Sequence, residues 1–181
     1  MLVLHLWGMP ESDNYLERNL ELLGACITLA ADAGMVLAVE TIPCDLADPL
    51  TNVRRAIARD ERTQVALDTE FLAYHGQLEE VLAADWLWQS ERVSHVHIKD
   101  YDGQMTDADQ HRRYLHPGEG KIDFVAFFAG LARRGFAGNI SLEATAIGPA
   151  LMVDLPRLQS GLGNLRKLVA QAREALKPAA E

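Results

Sequence analysis

The sequence is poor in cysteine, lacks a long hydrophobic run and has fewer basic than acidic residues. Its two cysteines, Cys26 and Cys44, form no CxxC motif and are too few for a disulfide framework, which indicates a reducing compartment. No apolar stretch reaches the roughly 18 residues of a membrane span, and the signal-peptide pattern is missing after Met1. These absences predict a cytoplasmic protein that does not enter membranes.

The shortage of positive charge excludes a further class of protein. The chain has 17 lysines and arginines against 26 acidic residues, which gives a net charge of −9. Nucleic-acid binding requires clustered Lys and Arg to neutralise phosphates, so we do not expect a nucleic-acid partner. The composition, 49% hydrophobic and 24% charged over 181 residues, is that of an ordinary globular protein with one sizeable core.

The sequence does contain a regular alternation of two hydrophobic patterns. Short apolar runs predict five strands, which are Leu2–Trp7, Met35–Glu40, Gln64–Asp68, Val93–Ile98 and Asn139–Glu143. Longer segments with apolar residues at helical spacing predict five helices, which are Tyr15–Ala33, Asp48–Arg59, Leu78–Trp88, Phe124–Arg134 and Leu155–Leu176. Because strands joined by helices run parallel, we predict a single α/β domain over residues 1–177 and a frayed tail at 178–181.

Two architectures fit five strand–helix units, namely an open doubly wound sheet and a TIM barrel. A complete TIM barrel takes about 250 residues, so this chain would form an incomplete one. Length alone therefore favours the open sheet. The positions of the acidic and histidine residues reverse that preference.

Four consecutive predicted strands end in a residue type that binds metal ions, and these residues are Glu40, Asp68, His97 and Glu143. Barrels place their active sites at the C-terminal strand ends, so we expect the four side chains to converge. The residues two positions earlier share their face and are mostly small, as a barrel interior requires; they are Ala38, Ala66, His95 and Ser141. Three carboxylates and one imidazole predict a site for one divalent ion, either Mn²⁺, Mg²⁺, Co²⁺ or Zn²⁺.

Five segments together carry a recognisable order of motifs. They are LAVE at 37–40, ALDTE at 66–70, VSHVHIKD at 93–100, HPGEGKIDF at 116–124 and ISLE at 140–143. This order resembles the xylose isomerase-like TIM-barrel superfamily, which includes sugar-phosphate isomerases and epimerases, ketose 3-epimerases, hydroxypyruvate isomerase and AP endonuclease relatives. The HxHxKD strand followed by the PGxGxID loop is the most specific part of the resemblance.

The resemblance implies a fold and a set of metal ligands. In this family Glu, Asp, His and Glu at the ends of the last four strands bind a single metal ion, and the matching residues here are Glu40, Asp68, His97 and Glu143. The first predicted strand, which contains His5, would correspond to the family's fourth, and the family's first three strands are absent. The implied fold is a partial TIM (β/α) barrel of about five parallel strand–helix units, equivalent to the C-terminal part of a (β/α)8 barrel.

Two positions depart from the family's pattern. The family often has His three residues after the ligand Asp, where this chain has Phe71. Ketose 3-epimerases tend to carry Arg shortly after the metal-binding His, where this chain has Gly103. A trinuclear zinc site of the endonuclease type needs several more His and Asp ligands, so a single-metal enzyme fits the sequence better.

Four further residues are predicted to contact substrate, and these are His5, Lys99, His116 and His75. His5 either touches substrate or packs in the core. Lys99 lies one step nearer the mouth than His97, where it pairs with substrate or with Asp100. His116 begins a turn-rich loop over the barrel mouth, whereas His75 reaches the site only if its loop bends back.

The pattern favours a metal-dependent isomerase or epimerase of carbohydrate metabolism that acts on a small keto-sugar, sugar phosphate or keto-acid. The ion would polarise the carbonyl, and of Glu40 and Glu143 one would remove a proton and the other return it. Two alternatives stay open, a metal-dependent lyase or dehydratase on the same scaffold and a non-catalytic remnant that serves as an interaction protein.

A barrel without three of its strands has two unpaired edges, which is an association hazard. We therefore expect either a homo-oligomer or a missing N-terminal barrel segment that completes the wall. Low or absent activity is predicted for the isolated chain.

Overall fold

The structure, a computed structural model, describes residues 1–8, 12–143 and 152–177. Its strands are β1 (Leu2–Leu4), β2 (Leu37–Glu40), β3 (Gln64–Asp68), β4 (Val93–Ile98) and β5 (Asn139–Leu142). All pairs are parallel and the order in the sheet is β1-β2-β3-β4-β5. A doubly wound sheet reverses its order at a switch point. The sequential order instead makes a half-barrel, which confirms the predicted partial TIM barrel.

The helices follow the strands in alternation. They are α1 (Leu16–Asp32), α2 (Pro49–Arg59), α3 (Thr69–Tyr74), α4 (Leu78–Ala83), α5 (Asp85–Trp88), α6 (Phe124–Arg133) and α7 (Leu155–Ala175), with short 3-10 turns at Ser12–Tyr15 and Gln89–Glu91. Four of them begin after an aspartate whose carboxylate accepts a hydrogen bond from the backbone N–H three residues on; these caps are Asp48, Asp68, Asp123 and Asp154. Capping by Asp68 starts α3 directly at the end of β3.

The strand residues divide between two faces, as the alternation in the sequence predicts. Val39, Leu67 and Val96 belong to the hydrophobic core, where the helices cover them. Ala38 and Ala66 lie on the other face and are also fully buried. Because neighbouring parallel strands pair Glu40 with Ala66 and Asp68 with His97, the register brings the polar strand ends to one rim.

The sheet is strongly curled. The sulfur of Met1, next to β1, lies 4.0 Å from Ser94 Oγ on β4. Three strand spacings in a flat sheet would separate the two strands by about 14 Å. Curling of the sheet therefore encloses the inward face, and it points the side chains at the strand ends toward one another.

Three elements differ from the sequence prediction. β1 ends at Leu4, because Leu6 and Trp7 leave the sheet to enter the core, where Trp7 Nε1 donates to the Ile42 carbonyl at 2.9 Å. The predicted helix Leu78–Trp88 is divided into α4 and α5. α3 was not predicted, and the Asp68 cap explains it. The predicted tail at 178–181 lies outside the described residues.

Both outer strands have a free edge within the described ranges, since β1 pairs only with β2 and β5 only with β4. Leu2 and Val3 on β1 and Ile140 on β5 are all more than a third exposed. Among the residues described, none of the helices has both the length and the apolar character needed to span a bilayer.

Candidate metal centre

Four side chains meet at the C-terminal rim of the half-barrel, and they are the four that the strand ends predict. Glu40, Asp68, His97 and Glu143 each bring one ligand atom into a group in which all atoms lie within 4.8 Å of one another. Three of them are buried, whereas the Glu143 side chain is 44% exposed. The group has the size and the donor atoms of a site for one divalent ion.

Glu40 is held by two histidines. His5 Nε2 lies 2.6 Å from Glu40 Oε2, and His97 Nδ1 lies 2.6 Å from Oε1. Burial by itself raises the pKa of Glu40, but the hydrogen bonds to His5 and His97 outweigh it and bring that pKa down to about 2. Glu40 is therefore a buried carboxylate that stays ionised.

His97 connects the two glutamates, because its Nδ1 also lies 2.9 Å from Glu143 Oε2. Burial lowers the pKa of His97, but the hydrogen bonds to Glu143 and Glu40 prevail and raise it to about 10. Beneath it, His95 Nε2 lies 2.8 Å from Ser141 Oγ, and the two histidine rings meet edge to face at 4.8 Å. His95 thus supports His97 from the layer below.

Asp68 is fully buried and fixed from three directions. Its backbone N–H donates to Thr41 Oγ1, its Oδ1 accepts from the Phe71 N–H, and its Oδ2 lies 2.7 Å from Lys99 Nζ. Burial raises the pKa of Asp68, and the Lys99 ammonium opposes that rise. These three contacts fix the orientation of the Asp68 carboxylate.

Lys99 is a buried cation inside the site. Its Nζ also lies 3.1 Å from Glu143 Oε2 and 4.3 Å from the centre of the Phe71 ring. The sequence left a pairing with Asp100 open, but Asp100 instead accepts backbone N–H bonds from Gly118, Gly120 and Ile122 and so organises the PGxGxID loop.

The residues present fit a divalent ion. Three carboxylates converge within a mostly buried pocket, and each of them contacts a cationic or histidine side chain: His5, His97 or Lys99. A concentration of buried negative charge requires compensation by positive charge. Oxygen-rich donor sets with one imidazole are typical of Mn²⁺, Mg²⁺, Co²⁺ and Zn²⁺ sites.

The other predicted substrate residues lie in different surroundings. The His5 side chain is 59% exposed beside Glu40, so it is open to a ligand. His116 is 1% exposed and packs against α7, where Gly161 leaves room for its ring. His75 Nε2 accepts a hydrogen bond from the Cys44 N–H at 3.3 Å. Substrate contact by these residues stays a prediction.

Sequence reasoning missed two charged residues beside the site, Glu70 and Arg112. Glu70 is 2% exposed, and the Arg112 guanidinium holds both of its oxygens, at 2.7 and 2.5 Å. They are 42 positions apart, so no local pattern pairs them. The one signal in the sequence was the position of Glu70, an acidic residue shortly after a predicted buried strand, where the chain passes from β3 into α3.

Comparison with known proteins identifies relatives of this chain. The profile of a family described as xylose isomerase-like TIM barrel matches residues 2–177. The chain belongs to the xylose isomerase-like TIM-barrel family. Membership confirms the resemblance that the ordered motifs indicate. The ketose 3-epimerase of Arthrobacter globiformis is 29% identical to this family member over 154 residues, which are 84% of this chain and 48% of the relative.

Two solved structures share its fold. A D-tagatose 3-epimerase-like protein superimposes with a TM-score of 0.73 at 20% identity, covering 97% of this chain and 64% of that one. A xylose isomerase domain protein from Alicyclobacillus acidocaldarius subsp. acidocaldarius superimposes with a TM-score of 0.71 at 22% identity, covering 94% and 64%. The chain spans about half the length of the curated relative and under two thirds of these structures.

Proposed function

We propose that this chain carries the divalent-metal site of a sugar isomerase or epimerase. The observation that carries the proposal is the convergence of Glu40, Asp68, His97 and Glu143 at one rim, with their ligand atoms within 4.8 Å. The similarity to a ketose 3-epimerase supports a small keto-sugar as substrate. Sugar phosphates and keto-acids remain candidates, because they too carry a carbonyl group that can acidify a neighbouring C–H. Mn²⁺, Mg²⁺, Co²⁺ and Zn²⁺ all suit this set of donors.

The chemistry requires an acidified C–H and two groups that exchange its proton. A divalent ion held by the four residues would act as a Lewis acid on the substrate carbonyl. We assign proton removal to Glu143, because its side chain is 44% exposed and therefore accessible to substrate. Glu40, itself ionised, would relay to the other face of the substrate a proton from the His5 imidazolium, whose Nε2 lies 2.6 Å from Glu40 Oε2, while Glu143 would give up its proton to solvent.

Substrate positioning falls to the side chains around the ligands. The exposed His5 imidazole stands beside Glu40, where it can hydrogen-bond a substrate hydroxyl. Lys99 would contact a substrate oxygen after leaving one of its carboxylate partners, since Asp68 and Glu143 now bind its ammonium. Substrate contact by His75 and His116 remains a prediction.

A sugar site needs walls on all sides, and the half-barrel offers them on one. We propose that the free edges of β1 and β5 are covered by a second copy of the chain or by a preceding barrel segment. The cytoplasm is the proposed location, because two cysteines without CxxC spacing do not form a disulfide framework.

Hydrogen exchange with solvent tests the proposed chemistry. The chain is incubated in D2O with a ketohexose, with and without Mn²⁺, and deuterium at the carbon next to the carbonyl is followed by NMR. We expect Mn²⁺-dependent exchange, which should be slow because the half-barrel encloses the site on one side only. Glu143→Gln should abolish the exchange, because it removes the group proposed to take the proton. Exchange that Glu143→Gln leaves intact contradicts the assignment, and loss of water from the sugar without epimerisation favours a dehydratase.

A further inference from the structure

A chain of alternating charges leads from the four-residue site into the loop after β4. Lys99 Nζ lies 2.7 Å from Asp68 Oδ2, 3.1 Å from Glu143 Oε2 and 3.9 Å from Glu70 Oε2. Glu70 is in turn bound through both oxygens by Arg112. Within the described part of the chain, no hydrogen bond or ion pair joins Arg112 to a proposed ligand, yet Glu70 and Lys99 link it to Asp68 and Glu143.

Contacts with Thr69 and Phe71 restrict the positions that the Lys99 ammonium can reach. Thr69 fixes its backbone, because the Thr69 hydroxyl donates to the Lys99 carbonyl at 2.7 Å and accepts from the Lys99 N–H at 3.0 Å. The Phe71 ring covers one side of the ammonium. The described partners of this buried cation are therefore three carboxylates, those of Asp68, Glu143 and Glu70.

Arg112 determines which of these carboxylates is available. A guanidinium that binds a carboxylate with two parallel hydrogen bonds is a stronger partner than a single ammonium contact. The backbone carbonyls of Met105 and Arg113 anchor the same guanidinium. With Glu70 already neutralised by Arg112, the Lys99 ammonium engages Asp68 and Glu143.

We propose that Arg112 and Glu70 are positioning residues that set the affinity of the four-residue site for a divalent ion, by determining how strongly the Lys99 ammonium competes for Asp68 and Glu143. The inference rests on the metal site of the proposed function. The ammonium contacts Asp68 Oδ2 and Glu143 Oε2, on the carboxylates that an ion would bind, and it repels a dication, so we expect it to move away when an ion binds. Glu70, 3.9 Å away, is the carboxylate that receives it.

A double-mutant cycle on the full chain tests this inference, with Mn²⁺ affinity from calorimetry as the readout. Lys99→Met removes the competing ammonium and is expected to tighten Mn²⁺ binding by at least about tenfold. Arg112→Gln leaves Glu70 without its guanidinium, so Lys99 shifts toward Glu70 and Mn²⁺ binding tightens by about fivefold. Because Arg112 acts through Lys99, Arg112→Gln is expected to change nothing further once Lys99→Met is present.

The neighbouring Arg113 provides a matched control. It also makes two bonds to a carboxylate, at 2.8 and 2.6 Å to Asp102, and it belongs to the same loop. Arg113→Gln changes the net charge by the same amount and is expected to leave Mn²⁺ affinity unaltered. Arg112→Lys keeps the positive charge but loses the pair of parallel hydrogen bonds to Glu70. Its Mn²⁺ affinity is expected to lie between those of the wild type and Arg112→Gln.

Circular dichroism and thermal unfolding establish that each variant is folded. If Arg112→Gln does not fold, Glu70→Gln takes its place in the cycle: it removes the receiving carboxylate, so Mn²⁺ binding is expected to weaken with Lys99 present and to stay constant with Lys99→Met. An effect of equal size in both backgrounds, or an equal effect of Arg113→Gln, is a plain charge effect and overturns the inference. Absence of Mn²⁺ binding in both wild type and Lys99→Met refutes the metal site itself.

Discussion

His97 Nδ1 lies 2.6 Å from Glu40 Oε1, although the two residues are 57 positions apart and belong to β4 and β2. β3 runs between these strands, which places their backbones about 9–10 Å apart. The side chains meet because the sheet curls and both project from its concave face. Ligands from strands that are not neighbours thereby reach a common point.

Loss of a proposed ligand is predicted to weaken metal binding. Glu143→Gln removes a charged donor whose side chain is exposed enough for the change to spare the fold. We expect Mn²⁺ affinity to fall by on the order of 100-fold in calorimetry. The control is Asp109→Asn in the exposed group of Asp107, Asp109 and His111, which should bind Mn²⁺ like the wild type. Unchanged stoichiometry and affinity in Glu143→Gln would remove Glu143 from the ligand set.

Metal binding is predicted to release a proton from His97. The glutamates raise the pKa of His97 to about 10, so its imidazole is charged at pH 8 in the ion-free chain, and coordination requires the bound nitrogen to be deprotonated. Protons therefore compete with the ion below pH 10, and Mn²⁺ affinity should rise with pH by about tenfold per unit.

Calorimetry in two buffers of different ionisation enthalpy measures this release directly. About one proton per Mn²⁺ is expected at pH 8. Binding heats that do not depend on the buffer, together with a flat dependence of affinity on pH between 7 and 9, would show that His97 is not a ligand.

The packing of His116 under α7 predicts opposite effects at two glycines of that helix. A Cβ at Gly161 would overlap the His116 ring, whereas a Cβ at Gly163 meets nothing within 4 Å. Gly161→Ala is expected to lower the free energy of unfolding by about 1–3 kcal/mol through overpacking. Gly163→Ala should raise it by about 0.5–1 kcal/mol, because alanine restricts the unfolded chain.

Urea unfolding followed by far-UV circular dichroism measures both changes. Similar stabilities for the two variants would show that α7 does not press His116 into the loop. The role of His116 would then move back toward substrate contact.

The free edges of β1 and β5 predict self-association of the isolated chain. Within the residues that the structure describes, both strands pair on one side only, and their residues Leu2, Val3 and Ile140 are exposed. Unpaired N–H and C=O groups beside apolar side chains favour pairing with another chain. Sedimentation velocity over a range of concentrations should reveal oligomers or aggregates. A single monomeric species with cooperative unfolding would contradict this prediction.

The sequence by itself determined the strand–helix alternation and the four residues at the rim. Hydrophobic periodicity is a local property, and the end of a strand such as Glu40 or Asp68 can be read from a few neighbours. Because parallel strands joined by helices bring their carboxyl ends to one edge, the convergence of these residues followed from the order of the elements.

Only the tertiary structure decided the partners of Lys99, Glu70 and His116. Glu70 meets Arg112 across 42 positions, and the path of the loop after β4 determines that pair. His116 is buried because α7 returns across it at Gly161. Such contacts depend on how a long loop and a distant helix pack, and no period in the sequence encodes them. The local sequence pattern therefore determined that the proposed ligands lie at strand ends, whereas long-range packing determined which charged residues contact those ligands.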